Sequence, residues 1–145
     1  NNMANSLIVG GLKCGMDVSV ACPEGYDPDP VVLGFAKTVT DRRFELVRAP
    51  ADAVVDADVV ITDVWASMGQ EEERAVRAKA FTGYCIDENL MKLTHPGCMV
   101  QHCLPAHKGE EISAQVFEDH ADEIFEEAEN RLHAQKAVLY LLMKD

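Results

Sequence analysis

Apolar residues recur along this chain in two rhythms, one of three to four positions and one of two. Met3, Leu7, Ile8 and Leu12 keep the helical spacing. They predict a first helix capped by Asn1 or Asn2 and stopped near Gly15. Residues 17–22 alternate instead, with Val18, Val20 and Cys22 on one face of a strand. The stretch 23–30 is rich in turn formers, and Asp29-Pro30 reads as a cap followed by proline in the first turn of a helix reaching about Val39. A strand near Phe44–Val47 and a short helix over 50–56 come next.

The run Val59-Val60-Ile61 is apolar on both faces, as in a central strand of a parallel sheet. Beyond it lies a loop from Asp63 to Gly69, then a charged helix from Gln70 to about Ala80 and a short helix over 87–94. The strand Cys98–Gln101 runs into His102-Cys103-Leu104-Pro105. A long final helix is predicted from about Glu126 to Met143, with Leu132, Val138, Leu139 and Leu142 turned toward a core. Strands alternating with helices imply an α/β fold, a Rossmann-like three-layer domain with a mainly parallel sheet.

The 145 residues suit one domain, and 48% apolar with 26% charged residues is a globular mixture. No apolar run approaches the length of a membrane span. A net charge of −12 argues against nucleic acid or an anionic membrane surface as the main partner. An anionic substrate stays possible, since a local arginine outweighs distant charge screened beyond about 10 Å. Five cysteines without a CxxC favour neither a disulfide framework nor a zinc cluster, and point to a reducing, cytoplasmic setting. An opening on Asn1 directly at a helix start reads as a fragment of a longer chain.

In open α/β sheets, ligands gather at the carboxyl ends of strands. Three polar groups fall there or at the matching helix start: Asn1-Asn2, Asp63 and His102-Cys103. Each has a plainer reading. The asparagines serve equally as caps, Asp63 as a turn former, Cys103 as a small buried apolar residue, and Trp65 as a packing residue. Arg131, near the start of the final helix on this reading, sits where the helix dipole disfavours a cation and calls for an anionic neighbour. His95, His107, His120 and His133 lack metal-ligand spacing and suit the surface.

The segment Asp63-Val64-Trp65-Ala66-Ser67-Met68-Gly69-Gln70-Glu71, with His102-Cys103-Leu104-Pro105, Glu129-Asn130-Arg131 and the opening Asn1-Asn2, resembles the aspartate/ornithine carbamoyltransferase family, its ornithine branch in particular. The likeness covers essentially the whole chain, as the ornithine-binding domain 1–145. It implies transfer of a carbamoyl group from carbamoyl phosphate to the δ-amine of ornithine, giving citrulline and phosphate. Asn2 and Asp63 would then bind the amino acid, with Ser67 and Met68 on a mobile loop closing over it. Cys103 and Asp63 would handle the reacting amine, while His102, Cys103, Leu104 and Arg131 would face carbamoyl phosphate. The resemblance also implies a cis Leu104–Pro105 peptide, no metal or organic cofactor, and a parent of three or more subunits.

Cys103 separates this pattern from aspartate carbamoyltransferases, which carry proline there. Acetylornithine, lysine or putrescine as the amine, or a non-catalytic amino-acid-binding module, remain alternatives. The family's Ser-x-Arg-Thr-Arg phosphate-binding segment is not in these 145 residues, so the expectation is an amino-acid-binding half, inactive or nearly so by itself.

Overall fold

The computed structural model describes residues 1–66 and 73–144. Helix α1 (Asn2–Lys13) begins where the Asn1 side chain accepts the Met3 and Ala4 N–H groups, at 2.7 and 3.3 Å. It ends at Cys14, with Gly15 following at a φ of 82°. Ile8 and Leu12 are its buried positions. Strand β1 (Val18–Ala21) runs close beneath it: a Cβ on Gly11 would sit 2.9 Å from Val18 Cγ2, so only glycine permits that approach. Helix α2 (Pro30–Ala36) is capped by Asp29, which accepts the Val31 N–H at 2.7 Å, with Pro30 in the first turn.

Strand β2 (Phe44–Val47) pairs in parallel with β1, Val18 opposite Phe44. Ile8, Leu12 and Ala36 are buried over that ladder, against Val18, Val20, Phe35 and Phe44. Helix α3 (Pro50–Ala53) leads to β3 (Val59–Thr62). After α4 (Arg74–Ala80) and α5 (Glu88–Met91) comes β4 (Met99–His102), parallel to β3 with Thr62 opposite His102. Helices α6 (Ala114–Asp119) and α7 (Ala121–Met143) complete the domain. Val60, Val100, Ile112, Val116, Phe117 and Ile124 form the larger core around β3 and β4. No described helix is long and apolar enough to cross a membrane.

The α/β class and parallel pairing agree with the sequence, and several details differ. The described strands form two parallel ladders, β1–β2 and β3–β4. Ile61 is 39% exposed, so β3 is not covered on both faces as its apolar run suggests. Helix α6 escaped periodicity because six residues show too little of a repeat; its local mark is Ser113, which accepts the Val116 N–H. The start of the helix expected from Gln70 lies outside the described residues.

The final helix departs most. It begins at Ala121, and only Ile124 is buried on it. Leu132, Val138, Leu139 and Leu142, expected in the core, are 54–78% exposed. The helix packs against β4 and α6 with its first turns, and none of the described residues covers its later ones.

Candidate active site

The site is set by strand register. Because Thr62 pairs with His102 on parallel neighbours, the residues that leave the two strands, Asp63 and Cys103, emerge side by side. The Cys103 thiol donates to Asp63 Oδ1 at 3.2 Å. The same oxygen accepts the Val64 N–H at 2.8 Å. Asp63 Oδ2 accepts from the Asn1 side-chain amide at 3.1 Å. Asn1 thus does two jobs: its oxygen caps α1 and its nitrogen holds Asp63. Both carboxylate oxygens are engaged, which fixes the plane of the group.

Arg131 reaches in from α7, its Nη1 donating to the Cys103 carbonyl at 3.4 Å. It lies in the third turn of α7, not at the start as expected, so the positive end of the dipole is distant and needs no compensating anion. Its guanidinium brings positive charge to the rim on which Asp63 brings negative charge. Cys103 itself is 9% exposed, and burial, then the Asp63 hydrogen bond and charge, push its thiol up to about 12. It is therefore a neutral donor at ordinary pH and not a thiolate nucleophile.

Leu104 follows at a φ of 54°, with a cis bond to Pro105. The left-handed backbone costs roughly 1–2 kcal/mol for a residue with a Cβ, so the turn is held by its surroundings. One of these is His102. Its ring is fully buried and expected here on the carbamoyl phosphate side, yet both nitrogens face inward. Nδ1 accepts the Leu104 N–H and Nε2 meets Glu111 Oε1, each at 3.0 Å. The imidazole is therefore not free for a ligand; only the backbone of His102 belongs to the rim.

The sequence-derived residues thus divide. Asp63, Cys103, Leu104 and Arg131 come together on one rim. Asn2 is exposed in the first turn of α1, one residue from the asparagine that contacts Asp63. Ser67 and Met68 lie outside the described residues. Trp65 does pack, stacked on Phe81 with centroids 5.9 Å apart. His107, Glu110 and Glu111 lie near enough to approach one cation, but Glu110 is paired with Arg74, and Glu111 Oε1 with His102 and the His107 N–H.

Residues 1–142 match the family described as aspartate/ornithine carbamoyltransferase, Asp/Orn binding domain. The chain belongs to this family. It is 53% identical over 144 residues to an ornithine carbamoyltransferase of Geobacter metallireducens, covering 99% of this chain and 48% of that protein. A Pyrococcus abyssi ornithine carbamoyltransferase is 50% identical over 146 residues, 99% of this chain and 46% of its own. Among solved structures, the anabolic ornithine carbamoyltransferase of Campylobacter jejuni superposes with a TM-score of 0.94 at 41% identity, over 98% of this chain and 48% of that one. An acetylornithine transcarbamylase complexed with acetylcitrulline gives 0.81 at 29% identity, over 98% and 44%. The chain spans about half the length of the curated relatives it matches.

Within this domain, two acidic groups at or behind the rim, Glu127 and Glu111, carried no sequence signal of their own, and Asn1 stood out only as one of a pair with Asn2. Glu127 reads as one of many acids on a charged helix, yet its Oε2 is buried without a hydrogen-bond partner beside the site. Burial pushes its carboxyl above the usual range, and the nearby His102 backbone N–H and Arg131 charge offset only part of that. Glu111 is fully buried. Burial pushes it up too, but hydrogen bonds from the His102 ring and from backbone N–H groups together hold it below the usual carboxylate range.

Proposed function

We propose that the protein carrying this chain is an ornithine carbamoyltransferase, and that this domain holds the amino acid while presenting its δ-amine to the carbamoyl donor. The observation that carries the reading is the Asp63–Cys103 pair at 3.2 Å with Arg131 on the Cys103 carbonyl, in a chain about half identical to proteins named ornithine carbamoyltransferase.

An alkylamine with a pKa near 10.4 is almost fully protonated at pH 7, and freeing its lone pair costs about 4.6 kcal/mol. A rim that removes water and presents acceptors lowers that cost. Asp63, with its plane fixed by Asn1, Val64 and Cys103, suits an α-ammonium, which needs a full negative charge. The Leu104 carbonyl suits the neutral δ-amine, which needs orientation without a charge. Cys103, held as a thiol, orients Asp63 and contributes no covalent intermediate; carbamoyl phosphate is already activated. Arg131 stabilises oxygen charge as the carbonyl carbon becomes tetrahedral. Asn2, Ser67 and Met68 complete the ornithine contacts in this proposal.

The likeness to an acetylornithine transcarbamylase supports a second reading, in which the amine carries an acetyl group. The test is a substrate panel on the full-length protein with carbamoyl phosphate and ornithine, acetylornithine, lysine or putrescine. Carbamoylation of ornithine at least tenfold above the others is expected, and preference for any other amine overturns the assignment. The 145 residues alone are expected to form little or no citrulline, because they contain no Ser-x-Arg-Thr-Arg segment for the donor. A cytoplasmic setting and a parent of three or more subunits belong to the same proposal, checked by fractionation and sedimentation.

A further inference from the structure

We propose that Glu111 is a positioning residue for the Cys103–Leu104 turn, acting through the His102 imidazole. This rests on the reading above, in which that turn faces the reacting amine.

A ring nitrogen that accepts a hydrogen bond carries no proton. Nδ1 of His102 accepts the Leu104 N–H at 3.0 Å, so the ring proton sits on Nε2 and is donated to Glu111 Oε1 at 3.0 Å. The same Glu111 oxygen accepts the His107 N–H at 2.6 Å. One carboxylate therefore ties together the end of β4 and the far side of the loop beyond it. Both side chains are fully buried, where such a contact is not exchanged for water.

Glu111 is itself anchored from the core side. Its carbonyl accepts the Ile86 N–H at 2.9 Å, the Ile86 carbonyl accepts the Ser113 N–H at 2.9 Å, and Ile112 between them is fully buried. The connection runs from the packed core through Glu111 and the ring to the Leu104 N–H, and so to a residue held at a φ of 54°. Without an acceptor at Glu111, the Nε2–H is left buried without a partner, and the Leu104 N–H alone opposes the other tautomer. The other tautomer points an N–H at the Leu104 N–H and pushes the turn away.

Glu111→Gln keeps an oxygen for both donors, whereas Glu111→Ala removes it. In the full-length protein, Glu111→Ala is expected to lower kcat about a hundredfold, the scale of a small misplacement at a reacting centre. KM for ornithine and for carbamoyl phosphate should move less than threefold, and Glu111→Gln should recover most of kcat. Nitrogen-15 NMR should show His102 with Nδ1 unprotonated in the wild type and Glu111→Gln, and a tautomer mixture in Glu111→Ala. A role in stability alone predicts a lower Tm with kcat per folded molecule unchanged, and that result overturns the positioning role by itself. Wild-type protein that makes no citrulline overturns the functional reading as well. If Glu111→Ala does not fold, the wild-type spectrum still decides: a proton on Nδ1 of His102 refutes the arrangement.

Discussion

Replacing Asp63 by asparagine should make Cys103 more reactive, although the substitution adds no space and brings no new base. The Cys103 thiol is raised from 9.0 to about 12, first by burial and then by the Asp63 hydrogen bond and charge. At about 1.36 kcal/mol per pH unit, this is roughly 4 kcal/mol against the thiolate. Burial is the largest single cause and stays in the variant, while loss of the Asp63 charge should lower the thiol by on the order of one pH unit, about tenfold in thiolate at fixed pH. An asparagine in the same place still accepts the S–H but no longer repels the thiolate. The assay is iodoacetamide labelling of the full-length protein, resolved by peptide mass, with exposed Cys14 as internal reference. The wild-type rate at Cys103 should climb without a plateau from pH 8 to pH 11, and Asp63→Asn should raise it about tenfold at pH 8. Since the folded-state value lies above the unfolded one, the stability from keeping this thiol neutral is whole below pH 9 and is lost as pH rises toward 12. A Cys103 rate within twofold of wild type, with the fold intact by circular dichroism, refutes the claim that Asp63 and Cys103 are electrostatically coupled.

Other consequences can be measured independently. Arg131→Gln in the full-length protein should lower kcat/KM for carbamoyl phosphate by roughly 10²–10³, the usual effect of removing one stabiliser of developing oxygen charge; a change under threefold removes Arg131 from the site. Glu127 is raised by burial, so its ionisation penalises the folded state increasingly as pH rises through its titration range. Glu127→Gln should therefore raise Tm at pH 7, with the gain fading toward pH 4, and an equal effect at both pH values contradicts the cause given. In chemical denaturation of the isolated domain, Ile112→Ala should cost about 2–5 kcal/mol as a core truncation. Leu139→Ala, at a position 58% exposed on α7, should cost no more than about 0.5 kcal/mol. Equal costs would mean that α7 packs in solution.

Much of the fold was legible because its signals are local. Asn1, Asp29-Pro30 and Gly15 act within one turn of chain, and each marks a boundary that the structure keeps. The strand near Phe44–Val47 was placed to the residue. Failures arose where a local pattern had two outcomes. The apolar positions of α7 have helical spacing whether or not anything covers them, and their exposure depends on how far the helix runs past β4. The same chain length misplaced Arg131: a helix start at Ala121 rather than Glu126 turns an unfavourable terminal cation into an ordinary one within the helix.

The residue types at the rim belong to the sequence alone. An aspartate after one strand, a cysteine and leucine after another, and an arginine on the final helix are fixed by order along the chain, and the motifs around them carry the resemblance to the family. Their partnership does not follow from that order. Asp63 meets Cys103 because parallel register sets Thr62 opposite His102, and a slip of one residue would turn either side chain to the other face. Folding also chose Asn1 rather than Asn2 as the holder of Asp63, turned the His102 ring inward to Glu111, and buried one oxygen of Glu127. Caps and periodicity act over about four residues, whereas the Asn1–Asp63 and His102–Glu111 contacts join positions 62 and 9 apart along the chain, so only the packed sheet and helices could decide them.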